Sequence, residues 1–483
     1  MEKFYHIITL IGVFTYWILV AGVTIRVVMK PRSVSVSLAW LMIIYILPVI
    51  GVIFYVLIGE LNLGRKRAER AEKMFSFYQT WFRDLYSCQA HIPALMSAPI
   101  KKIDNLCTNR MGIPALCGNT LSLQNEPDQI LRSIIQDIQN AESHIRMEFY
   151  IWYQGGLADA VAAALIKAAK RGVDVKILLD SAGSSRFFNS HWVGMFQHAG
   201  IDVVEALRVT PLRMFFRRLD IRQHRKIITI DDKVAYTGSM NMVDPSFFKQ
   251  EAGVGKWVDV IVRITGPTVN VLSAIHSWDW EVETGDRVFP SLPACLIDTN
   301  PCLPIQVIPS GPGMPENLIQ QTLLLAINQA ESSVRITTPY FVPSEELLEA
   351  IKMTAQRGVK VELVIPHKND SLMVQWASRS YYSVLLESGV DIYEFTGGLL
   401  HTKSVVIDQS YCMVGTVNLD MRSLWLNFEV TLAVDDGTFT QDLYKMQQSY
   451  IEQALKIDQE SWKRRTMLHR FQERIFSLFG PLL

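Results

Sequence analysis

Two histidines, each followed two positions on by a lysine, have the residue types and spacing for phosphate chemistry in this 483-residue chain. The first run is His224-Arg-Lys226-Ile-Ile-Thr-Ile-Asp231, then Gly238-Ser239-Met-Asn241; the second is His401-Thr-Lys403-Ser-Val-Val-Ile-Asp408, then Gly415-Thr416-Val-Asn418. Both read H-x-K-x4-D-x6-G-[ST]-x-N. Side chains on a strand alternate faces, so each histidine and its lysine point the same way. An imidazole beside an ammonium suits an anionic phosphodiester, and two such pairs facing each other would enclose one phosphate. Ser239, Asn241, Thr416 and Asn418, on the turn after the next strand, can donate to the remaining phosphate oxygens. Asp231 and Asp408 complete the candidate catalytic set, although their opposite parity near a strand end reads more readily as a turn role. Asp259 in WVDVIVRI and Glu429 in NFEVTLAV occupy matching strand positions and would orient the imidazoles, with Glu251 a competitor in the first half.

The elements that must position these groups repeat. From Ile145 to Asn241 an apolar run (IRMEFYIW), a helical stretch (ADAVAAALIKAAKRG) and a second apolar run (VDVKILLD) follow in order. From Arg335 to Asn418 the same order returns as VRITTPYFV, SEELLEAIKMTAQRG and VKVELVIP. This is a duplicated α/β unit with a mixed sheet flanked by helices and a pseudo-twofold relation between halves. The expected layout is a charged helix and connector over 61–118 with no assigned role, a first half over 119–290 and a second half over 321–450. Seven prolines crowd the stretch 290–315, so 291–320 reads as a linker, and 451–483 reads as a basic amphipathic helix.

Ahead of all this lie two runs without Asp, Glu, Lys or Arg, 4–25 and 33–59, each long enough to cross a ~30 Å hydrocarbon core. The short link between them predicts a transmembrane helical hairpin over 1–60. Arg65, Lys66, Arg67, Arg70 and Lys73 outnumber Arg26, Lys30 and Arg32 of the link, which puts the catalytic halves in the cytoplasm. A hydrophobic content of 49% against 19% charged residues agrees with partial immersion in lipid, and a net charge of +0 argues against a nucleic-acid partner. Six scattered cysteines signal neither a zinc site nor a disulfide framework, and a reducing compartment fits. There is no H-E-x-x-H, and Gly253-Val-Gly-Lys256 is too short for a phosphate loop, so no metal or nucleotide cofactor is expected. The basic, apolar-interleaved segment Arg208 to Lys226 suits an anionic leaflet. For Trp462, Met467, Leu468, Phe471, Ile475 and Phe479, at helical spacing, membrane contact and docking on the protein's own surface remain open alternatives.

The paired motifs resemble those of the phospholipase D superfamily, and SMNMVDPSFFKQEAGVGKW, TTPYFVPS, GGLLHTKS and GTVNLDMRSLWLNFE look like bacterial cardiolipin synthases of the two-domain, membrane-anchored kind. The resemblance implies tandem phospholipase D-like domains in the bacterial cytoplasmic (inner) membrane, joining two phosphatidylglycerol molecules into cardiolipin and glycerol without metal. It also implies a phosphohistidine on His224 with His401 as acid and base, an assignment that two such similar copies do not decide by themselves. The rival readings are a hydrolase of the same superfamily, differing only in using water as acceptor, and a non-catalytic membrane scaffold.

Overall fold

The computed structural model describes residues 2–30, 34–59, 64–87, 96–208, 220–290, 292 and 304–480. They fall into a smaller, mainly N-terminal unit, Met1–Ala68 with Val209–Asp220, and a main unit, Glu69–Arg208 with Ile221–Leu483. In the N-terminal unit, helix α1 (Glu2–Met29) is long and apolar enough to cross a membrane. The second apolar run departs from the single span expected of it. It forms two helices, α2 (Val34–Ile46) and α3 (Pro48–Ile58), with Leu47 between them at φ −123°, ψ 71°. Proline disfavours helical backbone in the residue before it, and that breaks the run at Leu47. The two pieces fold back on each other, because the Trp40 and Tyr55 rings meet edge to face at 5.3 Å. Gly51 sits in this bend, where a Cβ would come within 2.5 Å of the Ile43 carbonyl oxygen. At 1.5 Å rise per residue, helices of 13 and 11 residues each fall well short of a ~30 Å core.

The main unit holds two sheets with the same internal order. In the first, the strands run Thr120–Gln124, Ile261–Thr265, Val234–Gly238, Ile227–Ile230, His144–Phe149, Asp174–Asp180, Asp202–Ala206. In the second they run Ile305–Ser310, Glu429–Val434, Tyr411–Gly415, Ser404–Ile407, Ser333–Thr337, Lys360–Pro366, Asp391–Phe395, and then Ala454–Lys456. In each, three neighbouring strands joined by helices are parallel and the rest antiparallel, which makes the fold mixed α/β and duplicated. One continuous apolar core runs through both halves, from Ile227, Val260 and Val262 in the first to Val307, Val405 and Leu432 in the second.

Three boundaries differ from expectation. Residues 293–303 of the proline-rich linker lie outside the described residues, but Ile305–Ser310 is an edge strand of the second sheet, where Pro309 is tolerated, and a helix starts at Leu318. The C-terminal stretch is not one helix: Ala454–Lys456 is an added edge strand, followed by helices Gln459–Lys463 and Met467–Ser477. The helix Arg65–Ser87, for which the sequence suggests no role, is structural. It buries Met74, Tyr78, Phe82 and Leu85, sets Tyr78 against Trp278 at 4.9 Å, and Arg70 donates to the Val282 and Glu283 carbonyls at the end of helix Thr268–Thr284.

The Met467–Ser477 helix has both a covered and an uncovered side. Met467 is 86% exposed, Leu468 64% and Phe471 62%, while Glu473 is buried in an ion pair with Arg465 and Phe476 packs on Val342, Val374 and Ala377. The helix therefore docks through its polar and C-terminal residues and leaves its main apolar row uncovered. Beside it, Leu372 (65% exposed) and Met373 start the helix Leu372–Ser380. Of the basic segment Arg208 to Lys226, residues 209–219 lie outside the described residues.

Candidate active site

Each histidine stands just before a strand of its own half and is stitched to the other half. His224 N donates to the Phe428 carbonyl at 3.0 Å, and His401 N donates to the Val258 carbonyl at 2.8 Å. Short parallel pairings, Gln223 with Phe428 and Leu399–Leu400 with Trp257–Val258, run across the pseudo-twofold. The Cα of Gly398 lies against the space a Gly255 Cβ would fill, at 2.9 Å, so the glycine run GVGK serves this close approach of backbones.

The orienting carboxylates are exchanged between halves. His224 Nδ1 lies 2.8 Å from Glu429 Oε2, and His401 Nδ1 lies 2.6 Å from Asp259 Oδ1. Ser239 Oγ donates to Asp259 at 2.6 Å and Thr416 Oγ1 to Glu429 at 2.5 Å. That corrects the expectation that these hydroxyls face a phosphate: they are committed to the carboxylates. The motif glycines let the adjacent strand close in, since a Cβ on Gly238 or Gly415 would fall 2.3 Å from the Val260 or Val430 carbonyl oxygen. Asn241 and Asn418 do face the cavity, and Asn241 keeps Nδ2 unpaired while its Oδ1 accepts from Ile151 N. Glu251 is exposed on a short 3-10 turn and takes no part.

Asp231 and Asp408 are placed elsewhere, at the far ends of the strands that follow the histidines. Both have positive φ, 54° and 50°. Asp231 accepts from the backbone N–H of Glu142, Ser143 and His144, and Asp408 does the same with Glu331, Ser332 and Ser333. They tie a turn to the neighbouring strand and are corrected from the catalytic set to structural anchors.

His224 and His401 open onto one cavity of about 280 Å³. Behind them Lys226 Nζ donates to the His224 carbonyl at 2.7 Å, and Lys403 Nζ to the His401 carbonyl at 2.6 Å. Burial pushes both imidazoles down to about 4, against the upward pull of Glu429 and Asp259. Burial also lowers Lys226 to about 8 and Lys403 to about 7. For Asp259 and Glu429, burial alone would raise the carboxyls, but the partner histidines and the lysines outweigh it and both end below the ordinary value. The site thus holds neutral imidazoles that donate Nδ1–H to carboxylates and turn Nε2 lone pairs toward the cavity, the form in which an imidazole attacks phosphorus.

Several site residues carry no signal in the motif spacing. Tyr150 packs on His224 with ring centres 5.1 Å apart, and Trp257 packs on His401 at 4.4 Å. Arg225, the variable residue of the first motif, is buried and reaches into the second half: Nε donates to the Glu429 carbonyl and Nη2 to the Ser310 carbonyl, with Asp279 as its ion-pair partner. Only the contact between halves gives these residues their roles. Among the described residues there is no cluster of His, Cys, Asp and Glu with the geometry to hold a metal ion.

The duplicated fold has matches among known proteins. A family model described as "Cardiolipin synthase, PLD-like domain" matches residues 134–270 and 323–450, and one described as "Phospholipase_D-nuclease N-terminal" matches 17–60. Proteins named cardiolipin synthase A from Yersinia pseudotuberculosis serotype O:1b (strain IP 31758) and from Yersinia pestis are 51% identical over 487 residues, covering 100% of both chains. The crystal structure of a phosphatidylserine synthase from Haemophilus influenzae Rd KW20 shares the fold, with a TM-score of 0.57 and 15% identity over 80% of this chain and 98% of its own. The chain belongs to the cardiolipin synthase family of phospholipase D-like phosphatidyltransferases.

Proposed function

We propose that the shared cavity exchanges one phosphodiester for another, converting two phosphatidylglycerol molecules into cardiolipin and glycerol through a phosphohistidine. The observation that carries this reading is the pair of imidazoles opening on one cavity, each held at Nδ1 by a carboxylate from the opposite half. In the first step His224 Nε2 forms a bond to phosphorus, the bond from phosphorus to the head-group glycerol oxygen breaks, and His401 gives that oxygen its proton. In the second, His401 takes the proton of the acceptor hydroxyl, whose oxygen bonds to phosphorus as the bond to His224 breaks. Number and kind of phosphodiester bonds are conserved, so the exchange needs no nucleotide. The charges bear on the acid: Lys226 and Lys403 face Asp259 and Glu429, but Lys403 is lowered to about 7 and is only part protonated near neutral pH, so a bound phosphodiester anion draws further protons into the site, onto Lys403 and an imidazole. Asn241 Nδ2, which has no protein partner among the described residues, is one side-chain donor for a phosphate oxygen.

The lipid phase enters in two ways. α1 anchors the chain, and the uncovered row Met467, Leu468 and Phe471 with neighbouring Leu372 continues toward the cavity through Ser371 and Val374, which line it. Arg464, Arg470 and Arg474 flank that row, which suits a surface lying on anionic lipid. With α1 as the span, the basic residues on both sides of the α2–α3 hairpin, Arg26, Lys30 and Arg32 before it and Lys66, Arg67, Arg70 and Lys73 after it, fall on one side of the inner membrane and favour a cytoplasmic catalytic unit, while the multi-pass anchor expected from composition loses its support. One observation favours the opposite face: Cys117 is disulfide-bonded, contrary to the expectation from cysteine spacing, and disulfides persist in oxidising compartments. Labelling an engineered surface cysteine in whole cells with an impermeant reagent separates the two: protection supports the cytoplasmic face and modification the other.

Incubating the purified protein with phosphatidylglycerol vesicles and a metal chelator tests the reaction. Cardiolipin and glycerol in equal amounts are expected; phosphatidic acid as the main product would make the enzyme a hydrolase.

A further inference from the structure

The cavity wall is not symmetric across the pseudo-twofold. Together with His224 and His401 it is lined by two arginines, Arg222 from the first half and Arg422 from the second. Counting from the motifs, the counterpart of Arg222, two before its histidine, is Leu399. The counterpart of Arg422, four after its asparagine, is Pro245. The duplicated scaffold therefore does not require either guanidinium, and the catalytic pairs His–Lys are complete without them. Arg222 is held in place by its Nη1 bond to the Ile221 carbonyl at 2.9 Å and by its backbone N–H to Asn427 Oδ1. Tyr150, whose ring lies on His224, lines the same cavity as both arginines.

The acidic groups near the arginines also have other partners, while Asp420 feels the charge of Arg422 and Asp180 that of Arg222. Asp370 accepts from the Tyr340 hydroxyl at 2.7 Å and pairs with Lys249, and Asp420 caps the helix Met421–Trp425 through Ser423 N. Asp180, which acts on Arg222, is buried and accepts from the backbone N–H of Ala182, Gly183 and Gln223.

We propose that Arg222 and Arg422 form a second phosphodiester subsite, which holds the phosphate of the acceptor lipid while its terminal hydroxyl attacks at the first. This rests on the transferase reading. The product carries two phosphates joined through one glycerol, so a second anion must be accommodated within a glycerol's length of the first, and guanidinium groups suit a phosphate. The arginines then select an anionic acceptor over an uncharged alcohol of the same hydroxyl chemistry.

The test is a competition in mixed micelles, with phosphatidylglycerol as donor and either a second phosphatidylglycerol or ethanol as acceptor. In the Arg222→Gln, Arg422→Gln double variant the ratio of cardiolipin to phosphatidylethanol is expected to fall at least tenfold relative to wild type, with a raised KM for the lipid acceptor. The Arg→Lys pair should recover part of the ratio. An unchanged ratio, whether both products fall together or neither falls, overturns the subsite. Should the variant not fold, wild-type enzyme given glycerol 1-phosphate or glycerol as soluble acceptor serves instead: at least tenfold tighter use of glycerol 1-phosphate is expected, and equal use overturns the proposal. If wild type releases only phosphatidic acid, the transferase reading fails by itself. The subsite is then read as inhibition of hydrolysis by glycerol 1-phosphate that inorganic phosphate does not match, and equal inhibition by both overturns it.

Discussion

At the scale of single residues, the site works by burying two carboxylates, two lysines and two neutral imidazoles together. Because burial holds both histidines near 4, the folded protein does not take up protons there until well below the unfolded value of 6.5. The unfolded chain binds those protons first as pH falls, so this contribution to stability is intact above about 6.5 and is lost from there toward about 4. Catalysis needs one of the two imidazoles protonated, and the substrate anion raises its affinity for a proton. Binding of a non-reactive phosphodiester near pH 7 is therefore expected to take up protons, measured by calorimetry in buffers of different ionisation enthalpy; heats independent of buffer would contradict this. Asp259→Asn and Glu429→Gln, which disturb the tautomer, are expected to lower turnover by about 10² to 10⁴-fold with little change in fold. Asp231→Ala should act the other way, costing about 1–3 kcal/mol of stability through its lost backbone bonds while the folded fraction keeps its turnover. Turnover per folded molecule, set beside denaturation midpoints, separates the two classes.

At the scale of elements, the sequence is legible where one strand or helix decides the outcome. The strand that follows each histidine and the β-α-β order are readable from alternation and repeat. The second apolar run reads as a single span because composition registers hydrophobicity but not the backbone break that Pro48 imposes on Leu47. The parity argument puts Asp231 and Asp408 away from the histidines, and the turn they tie supplies the reason. Spacing alone aims the hydroxyls of Ser239 and Thr416 at a phosphate, because it does not place the neighbouring strand that brings their partners, Asp259 and Glu429. For the C-terminal helix, periodicity reveals an apolar row but not which side is covered. With Met467, Leu468 and Phe471 uncovered, replacing Leu468 and Phe471 by Asp is expected to reduce transfer on vesicles at least tenfold, with a much smaller effect on short-chain phosphatidylglycerol below its micelle threshold. An equal loss on both substrates would return this helix to a purely structural role.

At the scale of the whole molecule, the decisive step is that two copies of one unit exchange their catalytic supports. Each half supplies a histidine to the shared cavity and a carboxylate to the other half's histidine, so neither half carries a working acid–base pair alone. Arg225 fastens the arrangement by bonding to the backbone of Glu429 and Ser310 across the interface. The motif repeat makes two sites on one phosphate an expectation, but the crossed pairing, Tyr150, Trp257 and Arg225 emerge only from the contact between halves. The central claim is that one of these histidines carries the phosphorus as a covalent intermediate, and trapping it is the most direct measurement. Acid-labile, base-stable label from phosphatidylglycerol labelled in its phosphorus should be found on His224 in wild type and in His401→Ala, and be absent from His224→Ala. Label retained in His224→Ala and lost in His401→Ala would reverse the assignment of nucleophile, and no covalent label in any of the three under turnover would contradict the mechanism.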